Sequence, residues 1–422
     1  MSLVKPHPLR IRPNPARVVI RDFQVAEPRS PNAKSRVRRI VEQVQSMDNR
    51  TVQAELSLVL ADFENRHREV RLVFEQRYES IARELDLPGP LREAERALIG
   101  AYFCNEYSFE SAAVLNPSVI PHPDQCGLNE GELRFLMSLR TVGEGHISSI
   151  TFREGILTAE GDISLSEGSH FAVTAHPETT PDGTVCLTRH PTSAMHETVL
   201  FPVTAAQRNG LEDLRLVRFE EDGEPPVYYG TYTAFSGTAI ASELLVTRDF
   251  QRFEMHPISG PAAGGKGMAL FPRRIDGAYA MIGRQDHENL YLLRSDNLLH
   301  WEDGTHLAGP VYPWELVQIG NCGAAIETEQ GWLVLTHGVG AMRKYALGAM
   351  LLDKSDPARV LGRSRVPLLS PPDAEREGYV PNVVYSCGAL VHSGLLFLPY
   401  GVADSTVAFA TVNLDELLDS FD

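Results

Sequence analysis

Five apolar segments of seven residues recur along the last three-quarters of the chain, and each ends on a polar side chain in the same register. They are Arg134–Arg140, Val227–Thr233, Ala278–Arg284, Gly331–His337 and Gly394–Tyr400. Each is followed by a second apolar run that closes on a polar turn, such as SELLVTRDF and NLYLLRSDN. A strand, loop, strand and turn repeated at intervals of tens of residues is typical of a radially repeated β architecture. The pattern predicts five blades.

The same register locates a candidate site. If equivalent strands surround one axis, their last residues lie near a shared central depression. These residues are Arg140, Thr233, Arg284, His337 and Tyr400. A further cation, Lys266, lies in the Gly-rich turn GGKGM before the third segment. Several cations around one axis favour an anion site, in which Arg is a forked ligand for phosphate or carboxylate. The alternative is that each cation pairs with a nearby carboxylate.

The N-terminal residues have a different pattern, which is charged and helical from residue 30 to residue 85. An apolar stripe with i, i+3, i+4 and i+7 spacing predicts one long helix in the second part of this range, followed by a stop at Pro88-Gly89-Pro90. The stripe consists of Leu56, Val59, Leu60, Phe63, Val70, Val73 and Phe74. A further helix is predicted from residue 91 to about residue 103, and residues 16–23 have the pattern of a strand. The stripe packs within its own domain or, as the alternative, forms a homo-oligomer.

We therefore predict a mainly β chain, in which an N-terminal strand and helical region (1–104) precedes a five-bladed β-propeller (105–422). The stretch at residues 160–193, between the first and second segments, predicts extra strands and a loop. Hydrophobic and charged contents of 43% and 22% are those of an ordinary globular protein. No apolar run suits a membrane span or a signal core, so we expect a cytoplasmic protein without a membrane partner. A formal charge of −16 argues against nucleic acid. The five cysteines include no CxxC pair, so neither a disulfide framework nor a metal site is predicted.

Carboxylates and aromatic residues also follow the predicted strands. Glu212-Asp213 lies in NGLEDLRLVRF and Asp404 in PYGVADST. A carboxyl group near the axis can act as a general acid, although a turn Asp more often bonds its own backbone. Aromatic rings beside carboxylates and Arg favour a carbohydrate ligand, but core packing explains the rings equally well. The rings are Tyr228, Tyr229, Tyr232, Tyr345, Tyr385 and Tyr400.

These stretches resemble glycoside hydrolase family 130, the β-mannoside phosphorylases and related β-mannosidases, whose fold is a five-bladed β-propeller. The resemblance extends in family order from Leu115 to the C-terminus, and the N-terminal helices are not part of the family's minimal form. The stretches are LNPSVI at Leu115, SLR at Ser138, NGLEDLR at Asn209, GMALFPRRIDGAYAMIGR at Gly267, SDNLLHW at Ser295, ETEQGWLVLTHGV at Glu327, YALGAMLLDKSDPARVLGRS at Tyr345, GYVPNVVYSCGAL at Gly378 and YGVAD at Tyr400.

The resemblance implies a role for each position. Asp213 is the expected catalytic acid, which delivers its proton through the 3-hydroxyl of the sugar while phosphate attacks the opposite face, so inversion gives α-mannose 1-phosphate. Arg284 and His337 are expected to bind phosphate, with Lys266 as a nearby third cation. The expected substrate-binding residues are Asn116, Arg140, Glu212, Tyr345, Tyr385 and Asp404. Phosphate is a co-substrate, and no cofactor or metal is expected.

Two positions depart from the family pattern. Gly265-Lys266 stands where an Arg-Asn pair is common, and Gln318 stands where the family often has a lysine. The remaining cations favour phosphorolysis. One alternative is an inverting β-mannosidase, with Glu288 or Glu315 as the base, and another is a non-catalytic sugar-binding propeller.

Overall fold

The computed structural model describes residues 3–28, 35–87 and 91–421. Strands hold 41% of the residues and helices 18%, which confirms the mainly β class. The chain divides into two compact units. The helical unit comprises Pro15–Phe109 and Ser169–Thr174, and the β unit comprises Met1–Asn14, Glu110–Gly168 and Ala175–Asp422. The predicted domain boundary after residue 104 stays a prediction.

The helical unit is built on four helices. They are α1 (Arg36–Ser46), α2 (Asn49–Phe63), α3 (Val70–Leu85) and α4 (Glu93–Tyr102), and a short α5 (Leu414–Leu418) belongs to the β unit. Leu56 and Leu60 of α2 and Phe74 of α3 are buried in one apolar cluster with Leu98 of α4. The stripe therefore packs within its own unit, as predicted. Within the described ranges, the helices are too short or too polar to cross a bilayer.

The prediction of one long helix was wrong, because the chain leaves helical geometry between α2 and α3. Glu69 has left-handed backbone geometry, with a φ of 51°, which interrupts the i to i−4 hydrogen bonds of a right-handed helix. In the same segment Arg66 Nε lies 2.8 Å and His67 Nε2 2.6 Å from Glu106 Oε1, so side-chain contacts hold the connection. The predicted stop at Pro88-Gly89-Pro90 lies outside the described residues.

The strands are numbered in chain order. The first fourteen are β1 (Val4–Ile11), β2 (Val18–Asp22), β3 (Cys104–Ser108), β4 (Ala113–Pro121), β5 (Leu133–Val142), β6 (Ser148–Leu157), β7 (Ile163–Leu165), β8 (Val173–Thr174), β9 (His176–Thr179), β10 (Val185–Thr188), β11 (Thr198–Leu200), β12 (Gly210–Phe219), β13 (Val227–Phe235) and β14 (Ile240–Thr247). The others are β15 (Arg252–Pro257), β16 (Ala269–Leu270), β17 (Tyr279–Gly283), β18 (Leu290–Ser295), β19 (Thr305–Ala308), β20 (Gln318–Asn321), β21 (Ile326–Glu327), β22 (Trp332–Val339), β23 (Tyr345–Leu352), β24 (Val360–Arg363), β25 (Val384–Tyr385), β26 (Leu390–His392), β27 (Leu395–Val402) and β28 (Thr406–Asn413).

Each predicted strand pair forms the centre of an antiparallel meander. The pairs are β5–β6, β13–β14, β17–β18, β22–β23 and β27–β28. The extra strands predicted at residues 160–193 are present, and β9 and β10 extend the second meander beyond β15. Sequence reasoning missed β1, which pairs with β28 and sets Val4 opposite Val412. The predicted strand at residues 16–23 is β2, which pairs with β3 in the helical unit.

Apolar clusters in the β unit join consecutive meanders, and one of them joins the fifth meander to the first. The members from two meanders are Leu136 with Leu216, Leu244 with Leu293, Ile282 with Val334, Leu347 with Leu398, and Phe135 with Phe397. The rings of Phe135 and Phe397 have centroids 5.1 Å apart. The order of packing is therefore cyclic, while the number of blades stays a prediction.

Replacing Leu396 by Ala tests this packing, because Leu396 is fully buried between the fourth and fifth meanders. We expect Leu396→Ala to lower the free energy of unfolding by about 2–5 kcal/mol. Leu316→Ala is the matched control at a position that is 60% exposed, and its effect should stay within about 0.5 kcal/mol. Equal losses in denaturant titrations of the two variants would contradict the packing described.

Candidate functional site

A cavity in the β unit gathers the predicted residues. Nine of the ten predicted site residues line it, and the tenth, Glu212, bonds two of them. The lining consists of Asn116, Arg140, Asp213, Arg215, Lys266, Arg284, Gln318, His337, Arg343, Tyr345, Val383, Tyr385 and Asp404. Side chains from strands far apart in sequence therefore meet in one hollow.

The expectation that all five strand ends face this hollow was wrong for two of them. Thr233 is buried opposite Glu212 in the β12–β13 ladder, and Tyr400 is buried in an apolar cluster. On these two meanders the cavity is lined instead by Asp213 and Asp404. Of the six aromatic candidates, Tyr345 and Tyr385 line the cavity. Tyr228, Tyr232 and Tyr400 belong to apolar clusters, and Tyr229 packs against another.

Three of the polar residues that line the cavity have distorted backbone geometry, which changes the direction of their side chains. Asn116, Asp213 and Asp404 have left-handed φ angles of 50°, 57° and 47°. The β4 ladder shifts register between Leu115 and Ser118, and the β12 ladder shifts between Glu212 and Arg215. Such bulges re-aim side chains, and strained backbone of this kind concentrates at functional sites. These three distorted residues line the cavity, while other left-handed residues lie elsewhere in the described chain.

Asp213 is surrounded by donors and positive charge. Its Oδ1 accepts hydrogen bonds from Asn116 Nδ2 at 2.6 Å and from Arg140 Nη1 at 3.2 Å. Burial opposes ionisation of Asp213, but Arg140, Arg215, the Asn116 donor and Lys266 outweigh it, so the pKa of Asp213 lies below its ordinary value. Without a ligand Asp213 is therefore a carboxylate, and it can act as an acid only once these charges are offset.

Glu212 forms ion pairs with two of the cations. Arg140 Nη2 donates to Glu212 Oε1 at 2.8 Å, and Lys266 Nζ lies 2.9 Å from Glu212 Oε2. For Arg140 and Lys266, the alternative of pairing with a nearby carboxylate is therefore correct in this ligand-free geometry. The Lys266 side chain is 37% exposed, so the pair remains open to solvent.

Arg284 and Arg215 keep unpaired donors beside the same cavity. Arg284 Nε and Nη1 are buried and meet no hydrogen-bond acceptor within the described residues, and the same holds for Arg215 Nε. Arg215 Nη2 donates to the Tyr385 hydroxyl at 2.7 Å. A buried charged donor without an acceptor is costly, so three such groups around one hollow indicate an anion-binding site.

His337 lies next to these guanidinium groups but is not a cation. Burial, Arg284 and Arg215 hold the pKa of His337 well below its ordinary value, so the ring is neutral at neutral pH. The expectation that His337 is a cation was therefore wrong, because the ring is buried and lies beside two permanently charged guanidinium groups. A Cβ on Gly320 would lie 2.3 Å from the His337 ring, so only glycine leaves room for it. A neutral ring can still donate one hydrogen bond to an anion.

A second carboxyl group in the cavity differs from Asp213. Burial and the neighbouring Asp213 charge raise the pKa of Asp404 to about 6, against the opposite effects of Arg140 and Arg343. The other carboxylates considered as bases do not line the cavity. Glu288 is exposed, and Glu315 is buried, where it bonds Arg363 and accepts from the backbone N–H of Val311 at 2.9 Å.

Sequence reasoning missed Arg215, Arg343 and Val383 as lining residues. Alternation along β12 does not mark Arg215, because the bulge between Glu212 and Arg215 breaks the two-residue period there. Arg343 lies in the β22–β23 turn, with its Cζ 5.9 Å from the Tyr345 ring centroid. No periodic signal marks a turn residue of this kind.

Comparisons with known proteins agree with the resemblance. A model of glycoside hydrolase family 130, described as β-1,4-mannooligosaccharide phosphorylase, matches residues 177–422. A 1,2-β-oligomannan phosphorylase of Thermoanaerobacter sp. (strain X514) is 33% identical over 51% of this chain and 72% of its own length. A β-1,2-mannobiose phosphorylase of Listeria innocua serovar 6a is 32% identical over 52% of this chain and 62% of its own length, which is less than two thirds.

Solved structures share the fold. The Listeria innocua β-1,2-mannobiose phosphorylase in complex with β-1,2-mannobiose gives a TM-score of 0.53 at 23% identity, over 73% of this chain and 92% of that chain. A structure described with family 130 glycoside hydrolases that target β-1,2-mannosidic linkages in Candida mannan gives 0.53 at 20% identity, over 74% of this chain and 87% of that chain. At these identities the likeness concerns the fold alone.

The electrostatics of His337 can be tested without substrate. In histidine NMR titrations in phosphate-free buffer, we expect His337 to stay neutral to a pH well below its ordinary pKa of 6.5. Arg284→Met should move its titration to higher pH, because a positive neighbour is removed. Arg359→Met, at an exposed arginine, should leave the titration of His337 unchanged. Protonation of His337 at neutral pH in the unaltered chain would contradict this environment.

Proposed function

Because the chain belongs to glycoside hydrolase family 130, we propose that it catalyses the inverting phosphorolysis of β-mannosides to α-mannose 1-phosphate, with Asp213 as the general acid. The enzyme is a glycoside phosphorylase, as the curated relatives are by name. Its substrates are a β-linked manno-oligosaccharide and inorganic phosphate, and the reaction uses no metal or organic cofactor.

One observation carries the proposal, namely the unpaired buried N–H groups of Arg284 and Arg215 in the cavity that holds Asp213. Guanidinium groups suit the oxygens of a phosphate dianion, which completes their hydrogen bonds and balances their charge. The neutral His337 adds one donor. A phosphorylase needs such an anion site and no general base, because phosphate is itself the nucleophile.

The proposed step balances without a further reactant. An oxygen of hydrogen phosphate attacks the anomeric carbon while the bond from that carbon to the glycosidic oxygen breaks. The proton of Asp213 goes to that oxygen, through the 3-hydroxyl of the sugar as the family resemblance implies, so the acceptor leaves as an alcohol. The mannose 1-phosphate monoanion then returns its remaining proton to Asp213. Attack on the face opposite the leaving group converts a β-mannoside into the α product.

In this proposal, phosphate binding also raises the pKa of the general acid, Asp213. The positive charges of Arg140, Arg215 and Lys266 keep Asp213 ionised in the free enzyme. A dianion bound beside Arg215 and Arg284 offsets this charge and raises the pKa of Asp213, so the carboxyl group binds the proton that it later donates. The same change raises the pKa of His337, whose burial and two arginine neighbours hold it low.

The finer fold is part of the proposal. We infer that the five meanders are five blades, which the cyclic order of the apolar clusters supports, with the cavity near their axis. Apart from β1, which belongs to the β unit, the N-terminal region to residue 104 is proposed as a separate domain, which provides the surface for a homo-oligomer.

A hydrolase is the second candidate because Asp404 is a second carboxyl group in the cavity with a pKa of about 6. An inverting hydrolase needs a base that activates water opposite the acid. Asp404 replaces Glu288 and Glu315 in that role, since neither of them lines the cavity.

Dependence on phosphate separates the two enzymes. Incubated with β-1,2- or β-1,4-mannobiose, the full chain should form α-mannose 1-phosphate and mannose with phosphate and release no sugar without it. Product analysis by ion chromatography is the measurement. Mannose release at the same rate without phosphate, lost in Asp404→Asn, would establish the hydrolase instead.

Asp213→Asn tests the acid. We expect kcat to fall about 10²–10⁴-fold, because the amide cannot donate the proton to the leaving oxygen. Asp303→Asn, at an exposed aspartate, is the matched control and should keep full turnover. Retained turnover in Asp213→Asn would remove its role, and an inert wild type across a glycoside panel would favour a sugar-binding module.

Arg284→Ala and His337→Ala test the anion site. Both should raise the KM for phosphate, for Arg284→Ala by about 10–100-fold, and leave the KM for the glycoside nearly unchanged, because a charge-assisted hydrogen bond to phosphate is lost. Arg359→Ala is the exposed control. Equal increases in both KM values would show that these residues do not select phosphate.

A further inference from the structure

A second cavity lies beside β10, β14 and β15 of the β unit and shares no lining residue with the first. It exists because of the extra strands, since Val185 of β10 and Met255 of β15 lie opposite each other in its wall. Neither the family resemblance nor the proposed reaction gives this cavity a role.

A buried carboxylate without a cation lines this cavity. Glu243 is only 4% exposed, and its Oε2 accepts hydrogen bonds from Gln207 Nε2 at 2.7 Å and from the Tyr232 hydroxyl. In the described parts of the chain, Oε1 has no hydrogen-bond partner and no cation lies within ion-pair distance. Because Oε1 is not among the buried atoms that lack a hydrogen bond, it is accessible, and a hydrogen-bond donor in the cavity can contact it.

A second polar group lacks a partner at the same place. Thr204 Oγ1 is buried without a hydrogen bond to any described residue, and Thr204 lines the cavity. Gln207 holds both groups in position, because its Oε1 accepts from the backbone N–H of Val203 at 3.0 Å and of Thr204 at 3.3 Å while its Nε2 donates to Glu243. The cavity thus presents fixed acceptors that lack donors.

The other residues that line this cavity limit the chemical class of ligand that it can bind. Val185, Met255 and Pro257 give the cavity an apolar side, which suits the C–H face of a pyranose ring. Two carboxylates, Glu243 and Asp182, line the cavity, but a metal ion would need more ligands. The described residues contain no group of three His, Cys, Asp or Glu side chains that could hold one. A small ammonium ion would use the acceptors but not the apolar side.

We propose that this cavity is a second carbohydrate site, which binds one hexose unit of a mannoside through hydroxyl donors to Glu243 Oε1 and Thr204 Oγ1. The identity of the sugar rests on the proposed function, whereas the site itself does not. Ser242, adjacent to Glu243, donates to the Gly265 carbonyl at 2.9 Å, so β14 contributes both to this cavity and to the wall beside Lys266.

Calorimetric titration of the full chain with mannose, in buffer without phosphate, tests the site. We expect two binding events per chain, of which one weakens about fivefold or more in Thr204→Val and in Glu243→Gln, as the loss of one hydrogen bond implies. Thr238→Val, at an exposed threonine, is the matched control. Thr204→Val should leave the rate of phosphorolysis unchanged. If Glu243→Gln does not fold, Thr204→Val alone still tests the site.

A single binding event, or a second event that neither variant weakens, would overturn the proposal. Glu243-dependent binding of butane-1,4-diamine in place of mannose would overturn the class of ligand. If the chain phosphorolyses no β-mannoside, the proposed function fails, but a mannose site that depends on Thr204 and Glu243 would still support this second site. The two failures are therefore distinguishable.

Discussion

The chemistry of this chain depends on positive charge gathered around a buried carboxylate with no anion to complete it. Arg284 and Arg215 keep buried N–H groups without acceptors, while Asp213 is ionised by the same field. Such a site is electrostatically incomplete, and a dianion satisfies the donors and allows the carboxyl group to bind a proton. In the proposed reaction, anion binding and acid catalysis are one linked event, and no separate base is needed because phosphate is itself the nucleophile.

The β unit sustains this unfavourable arrangement through packing elsewhere. Apolar clusters join each meander to the next in cyclic order, and β1 beside β28 adds a strand from the other end of the chain. Left-handed residues at Asn116, Asp213 and Asp404 are held by the ladders around them. Part of the strained backbone thus lies at the cavity, where the surrounding fold holds it in place.

Strand repeats and the register of strand ends could be predicted from the sequence, because alternation determines which side chains share a face. Arg140, Arg284 and His337 lie in the cavity for this reason. Thr233 does not, because bulges and side-chain direction are tertiary features. The break between α2 and α3 and the neutrality of His337 depend on tertiary structure, which no local pattern contains. Glu106 bonds the segment between the helices, and burial together with Arg284 lowers the pKa of His337.

Proton uptake on anion binding tests the central claim most directly. Sulfate remains a dianion across the neutral range, so its binding to the phosphate-free enzyme, measured by calorimetry in buffers of different ionisation enthalpy, reports only protons bound or released by the protein. We expect net proton uptake, because the pKa of Asp213, His337 and Asp404 should all rise, and we expect the uptake to disappear in Arg284→Ala. Sulfate binding with no proton uptake, or with proton release, would contradict the account.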